Sequence, residues 1–156
     1  YNHPDKECVC SSGVVQKYLN KISGPLLDRI DIHIEVTPVD FEELSSDQQA
    51  ETSERVRGRV VEARNLQEVR FQQQEGMYTN AQMATKQVRN VCQISQAGQN
   101  LLKSAMEKLS LSARAYDRIL KVARTIADLS GSDDIAVEHL AEAIHFRSLD
   151  REDWAG

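Results

Sequence analysis

From Ser112 to Leu129, apolar side chains recur at Tyr116, Ile119, Leu120, Ala123, Ile126 and Ala127. This i, i+3, i+4, i+7 spacing predicts a helix with one buried face. Ser112 is placed to cap its start and Gly131 to close it. The same pattern predicts a long helix from Ser45, Ser46 or Asp47 to about Gln74, with Val56, Val60, Ala63, Leu66 and Val69 facing inward and Glu51 and Arg55 paired outside. Gly76 to Thr79 interrupts it. Asn80 then caps a short helix to about Cys92, Ser95 caps another to Leu109 through Leu101, Leu102, Ala105 and Met106, and a last helix runs from about Ala136 to Arg147 on Leu140, Ala143 and Ile144.

The first forty residues read differently. Tyr1 to Cys10 has no periodicity, and Ser11 or Ser12 starts a short helix to Ile22 that Gly24-Pro25 ends. Ile30, Ile32, Ile34 and Val36 then alternate with Asp31, His33 and Glu35, the period-2 signature of a half-buried strand, stopped by Pro38. A single strand cannot satisfy its own backbone groups, and no second strand pattern follows. The expected organisation is therefore a mainly α chain: residues 1–40 as the trailing edge of a larger α/β domain, with one helix and one strand, and residues 41–156 as an intact helical domain. Without its sheet, the strand edge is expected to fray or to self-associate.

Composition agrees with helices: 40% of residues are hydrophobic and only 5% aromatic. The formal net charge of −5 argues against the chain as a whole being a simple basic nucleic-acid binder. The charge is uneven, however. Lys86, Arg89, Lys103, Lys108, Arg114, Arg118, Lys121 and Arg124 precede an acidic end that includes Asp133, Asp134, Glu138 and Glu142. No apolar run approaches the roughly 18 residues of a membrane span, and the polar N-terminus has no signal-peptide core, so a soluble cytoplasmic protein with no membrane partner is expected.

Arg114 breaks a local rule. As the second residue of its predicted helix it lies at the positive end of the macrodipole, where a carboxylate is favoured by roughly 0.3–1 kcal/mol. Such violations gather at functional sites, and an Arg beside free backbone N–H groups suits a bound anion such as phosphate. The alternative is a pairing with a carboxylate or plain solvation. Arg118, Lys121 and Arg124 continue along the polar side of the helix, as a solvated face or as a contact for DNA or a neighbouring subunit. Cys8 and Cys10, with His3, are weak metal candidates, because a tetrahedral zinc needs four ligands. No metal site is expected within this chain. Cys92 falls on an apolar helix face and reads as core.

Three blocks resemble one family: KISGPLLDRIDIHIEV (Lys21 to Val36), LSARAYDRILKVARTIADL (Leu111 to Leu129) and HLAEAIHFRSLDR (His139 to Arg151). They are similar, in order and spacing, to the C-terminal part of the magnesium-chelatase-like AAA+ ATPases, in particular the bacterial competence-protein branch. The resemblance implies that residues 41–156 are the helical C-terminal lid of such an ATPase. It implies that Arg29, in the PLLDR segment, is an arginine finger reaching a neighbouring subunit's ATP, and that Arg114, in the SAR segment, is the second sensor on the γ-phosphate. A fixed guanidinium stabilises the charge that develops in phosphoryl transfer. For Arg29 the residues themselves also allow a salt bridge to Asp28 or Asp31.

ATP and Mg²⁺ are implied for the parent protein, and a hexameric ring of its own subunits, with DNA in recombination or transformation as the object of its work. The same resemblance also implies a zinc site split between Cys8, Cys10 and an upstream cysteine pair. No GxxxxGK[ST] loop and no acidic Mg²⁺-binding strand end occur in the chain, which is therefore not expected to hydrolyse ATP alone. The other readings are a chelatase motor that inserts magnesium into a tetrapyrrole, and a non-enzymatic helical adaptor.

Overall fold

In chain order the elements of the computed structural model, which describes residues 9–36, 38, 39, 41 and 50–147, are α1 (Ser12–Leu19), α2 (Gly24–Leu27), α3 (Ser53–Phe71), a single 3-10 turn (Asn80–Gln82), α4 (Thr85–Val91), α5 (Gln96–Lys108), α6 (Ala113–Leu129), and α7 (Val137–His145). Helix α6 packs against α3, α4, α7 and the 3-10 turn, and α5 packs on α7. The α6 stripe predicted from sequence is the centre of the core: Ile119, Leu120, Ala123 and Ala127 are buried. They meet Phe71 of α3, Val88 of α4, Leu102 of α5 and Leu140 of α7. Tyr116 shares that stripe but lies in the first turn, at the edge of the bundle, and stays 39% exposed.

Caps and close approaches set the ends. Ser112 Oγ accepts from Ala115 N at 3.3 Å and Ser95 Oγ from Gly98 N at 3.2 Å, each capping the helix expected of it. Gly131 takes φ 68° just past α6, with Gly131 N bonded to Asp128 O and Ser132 N to Ala127 O. These are the paired bonds of a Schellman closure, which needs the left-handed conformation that glycine adopts freely. Gly98 lets α5 approach α7, since a Cβ there would stand 3.3 Å from Ile94 Cβ and 3.5 Å from Leu140 Cδ2.

Several expectations are corrected. The strand over Ile30–Val36 does not form. There is no strand among the described residues, only an isolated parallel bridge between Ile94 and Ile135. Alternation marks which side chains seek burial but supplies no neighbouring strand, and Ile34 and Val36 are 69% and 87% exposed. The segment is anchored instead to the end of α7 and to α6. His33 N donates to Phe146 O at 2.9 Å, Arg147 donates to Ile30 O, and Arg118 pairs with Asp31.

Helix α3 begins later than expected, with Thr52 Oγ1 accepting from Arg55 N; the serines proposed to start it lie outside the described residues. Its buried residues are Ala63, Gln67 and Phe71. Val56 and Val60 continue that stripe but are exposed, because residues 53–62 have no covering element among the described residues, and Leu66 and Val69 lie off the stripe. Glu51 pairs with Arg59 at 2.7 Å, not Arg55.

The helix expected from Asn80 to Cys92 is split in two. Gln82 Oε1 accepts from Tyr78 N and Thr79 N, which fixes the turn before α4. Asn80 is drawn inward instead. At the N-terminus, Gly24-Pro25 opens the one-turn α2 rather than only ending α1.

Candidate functional site

The turn into α6 is built tightly. Ser110 takes φ 47°, uncommon for a residue with a side chain, and Leu111 N returns to Met106 O at 3.0 Å. Ser112 then caps, Ala113 begins the helix, and Arg114 is its second residue, with no acid in the first turn. Arg114 is exposed, and among the described residues it forms no hydrogen bond or ion pair. Arg114 lines a cavity of about 530 Å³ together with Thr85, Arg89, Met106 and Asp117. The Thr85 hydroxyl donates to Asp117 Oδ2 at 2.7 Å, and Asp117 is the one carboxylate of that lining. Two arginines, Arg114 and Arg89, thus line a cavity at the positive end of a 17-residue helix. With two arginines against one carboxylate the lining is net positive, a charge balance that favours an anion.

The far side of α6 is closed off by a buried polar network. Asp128, whose side chain is 1% exposed, accepts two bonds from Arg70 at 2.5 and 2.8 Å, one from Asn80 Nδ2 at 2.7 Å and one from Arg124 Nε at 3.1 Å. Burial pushes its carboxyl upward, but the hydrogen bonds of Arg70 and Asn80 and the charges of Arg70 and Arg124 outweigh that, so it titrates below the usual carboxylate range. Arg124 also donates to Ser132 O and Asp133 O at 2.5 and 2.6 Å. Asn80 N donates to Gln67 Oε1, which ties α3 into the same network.

These contacts sort the basic residues of α6. Arg124 is only 3% exposed and is a buried structural cation, not part of an outer contact face. It follows Ala123 by about 100° around the helix, at the flank of the apolar stripe. Lys121 Nζ donates to Ala81 O at 3.0 Å, holding the 3-10 turn, and Arg118 holds Asp31. Both remain partly exposed. Arg29 is exposed and donates to Pro25 O at 2.9 Å, within its own turn of helix. Asp31 is taken by Arg118, and Asp28 lies 3.9 Å from Arg147. The Arg118–Asp31 pair sets the segment carrying Arg29 against the early turns of α6, one helical turn beyond Arg114.

Cys8 lies outside the described residues, Cys10 is exposed, and no group of three potential metal ligands occurs among the described residues. Cys92 is buried as expected, and burial pushes its thiol up to about 11. Sequence reasoning missed Arg89 as a partner of Arg114. The position of Arg89 in the last turn of a short helix carried no local signal for what it would face.

Anchored helices around a cationic cavity at a capped helix head describe a class, a helical domain with a net-positive helix head, and comparison with known proteins makes the assignment specific. Residues 50–147 match the profile described as magnesium chelatase, subunit ChlI C-terminal, and residues 1–44 match that of magnesium chelatase, subunit ChlI. The chain belongs to the magnesium-chelatase-like family. It is 41% identical over 138 residues to competence protein ComM of Haemophilus influenzae, covering 88% of this chain and 26% of that protein. To the uncharacterized protein YifB of Escherichia coli it is 38% identical over 143 residues, and to YifB of Salmonella typhimurium 35% over 145; each match covers 91% of this chain and 27% of the relative. The chain thus spans about a quarter of the length of these relatives. No helix among the described residues is long and apolar enough to cross a membrane.

Proposed function

We propose that this chain is the C-terminal part of an AAA+ ATPase in which residues 41–156 form the nucleotide-sensing lid and residues 1–40 close the ATPase core. Arg114 contacts the γ-phosphate of ATP held by the same subunit, and Arg29 reaches the nucleotide of a neighbour. One observation carries this reading. Among the described residues Arg114 is uncommitted at the head of α6, on a cavity that Arg89 also lines, while Arg118, Lys121 and Arg124 are each engaged within the fold. An anionic polyphosphate fits that site. The phosphate loop and the Mg²⁺ ligands belong to the remainder of the longer protein.

Bound ATP and Mg²⁺ supply the phosphoryl group and its metal. The lid's part is to hold one planar, permanently charged donor at a fixed place, so that closure over nucleotide is favoured while the terminal phosphate is present. The parent is then a six-membered ring that converts lid motion into work. The name of the Haemophilus relative, a competence protein, supports DNA as the object of that work. The family description favours the second reading, a chelatase motor driving magnesium into a tetrapyrrole.

The test uses the full-length protein. Arg29→Ala and Arg114→Ala are each expected to lower ATP turnover sharply; arginine fingers are worth about 10³–10⁵ in rate. Mixing the two inactive variants restores part of the activity if Arg29 acts across the subunit boundary. Wild-type turnover in both variants contradicts the assignment. Stimulation by DNA but not by porphyrin separates the two readings.

A further inference from the structure

A second cavity, of about 690 Å³, lies between α4, α5 and α6; it shares Arg89, Met106 and Tyr116 with the Arg114 cavity, and the rest of its lining has no binding role assigned above. Its floor is apolar: Cys92, Leu102 and Leu120 are buried, and Met106 and Tyr116 are partly covered along one wall. Its charged lining residues are Arg89 and Lys103, both exposed, and no carboxylate lines it among the described residues. In a chain of net charge −5, a groove with only cations is a local inversion.

The rest of the rim is carboxamide: Gln93, Gln96, Gln99 and Asn100. Gln96 Nε2 donates to Asn100 Oδ1 at 3.2 Å, which leaves Gln96 Oε1 to accept and Asn100 Nδ2 to donate outward.

We propose that this groove binds an acidic peptide segment carrying a bulky apolar side chain. The apolar side chain fills the floor between Met106 and Tyr116, and flanking carboxylates meet Arg89 and Lys103. An extended peptide presents both N–H and C=O groups, and the carboxamide rim can answer both. A nucleic-acid strand offers the rim mainly acceptors, carries a denser charge that the acidic chain opposes, and would find one aromatic ring where stacking platforms use several. The inference is independent of Arg114, which lies outside this lining.

The test is fluorescence anisotropy on the 156-residue chain. The probe is a fluorescein-labelled peptide of roughly twelve residues alternating Asp and Glu with Leu and Phe. Saturable binding is expected. It should weaken about tenfold or more when the acids become Asn and Gln, when Leu and Phe become Ser, and when the protein carries Arg89→Glu with Lys103→Glu. Both substitutions are at exposed positions, and an unchanged circular dichroism melt verifies the fold. Absence of saturable binding, indifference to the charge reversal, or tighter binding of an oligothymidylate of similar length overturns the proposal.

Discussion

Replacing Asp128 by alanine would leave two guanidinium groups, Arg70 and Arg124, sharing a mostly buried site with no anion between them. Removing one partner of a buried ion pair typically costs about 3–5 kcal/mol, so Asp128→Ala is expected to lose that much in urea denaturation at pH 7. The pH dependence has a definite sign. Asp128 titrates lower in the folded chain than its ordinary value of 3.8, so its contribution is present above that value and is lost as pH falls through the lower folded value. The difference between wild type and variant should therefore shrink in denaturation series taken below pH 3.8.

Cys92 makes a complementary prediction. With its thiol pushed to about 11 and its side chain buried, alkylation at pH 8 should modify exposed Cys10 first and reach Cys92 only on unfolding, as read by peptide mass mapping. Equal rates at the two sites would contradict the packing. The core role of Cys92 was legible in sequence, since apolar neighbours at helical spacing announce it. The burial of Arg124 was not. A cation beside an apolar stripe can turn outward to water or inward to a carboxylate, and Asp128 lies in reach on the next turn with Arg70 arriving from α3.

Among the elements, α6 stands apart because its best capped end also carries a charge of the wrong sign. Substituting Arg114→Glu should stabilise the isolated chain by about 0.3–1 kcal/mol, since an acid in the first turn favours the macrodipole, while disabling nucleotide sensing in the full protein. A higher melting temperature with lost ATPase activity is the expected pair of results. A drop in stability would instead mean that Arg114 supports the fold.

The α6 and α5 helices were legible because a capped start and one coherent apolar stripe coincide in each, and α7 from its stripe alone. Helix α3 was legible as a helix but only partly as a packed one. The Val56–Val60–Ala63–Gln67–Phe71 stripe is continuous, yet its first part is exposed and its second part is partly polar. Periodicity states which residues share a face, not how far a neighbour extends along it. The same gap explains Ile30–Val36, whose alternation is real but whose ladder has no partner among the described residues.

At the scale of the whole molecule, residues 28–33 are fastened to the helical bundle by contacts that no local pattern foretold, among them Arg147 to Ile30 O and to Asp28, His33 N to Phe146 O, and Arg118 to Asp31. Buried Arg147 is the centre of that junction. Arg147→Met keeps the apolar stem but removes the donor, and should speed hydrogen exchange at the His33 amide by about tenfold or more while leaving α6 protected. Unchanged protection at His33 would show that the junction does not depend on the guanidinium.

The central claim, that Arg114 recognises the terminal phosphate of a nucleotide, is tested most directly by comparing affinities of the full-length protein for a slowly hydrolysed ATP analogue and for ADP. A charge-assisted hydrogen bond is worth about 1.5–3 kcal/mol, so Arg114→Ala should weaken the ATP analogue by roughly 10- to 100-fold and leave ADP affinity nearly unchanged. Equal losses for both nucleotides, or no loss for either, would contradict it.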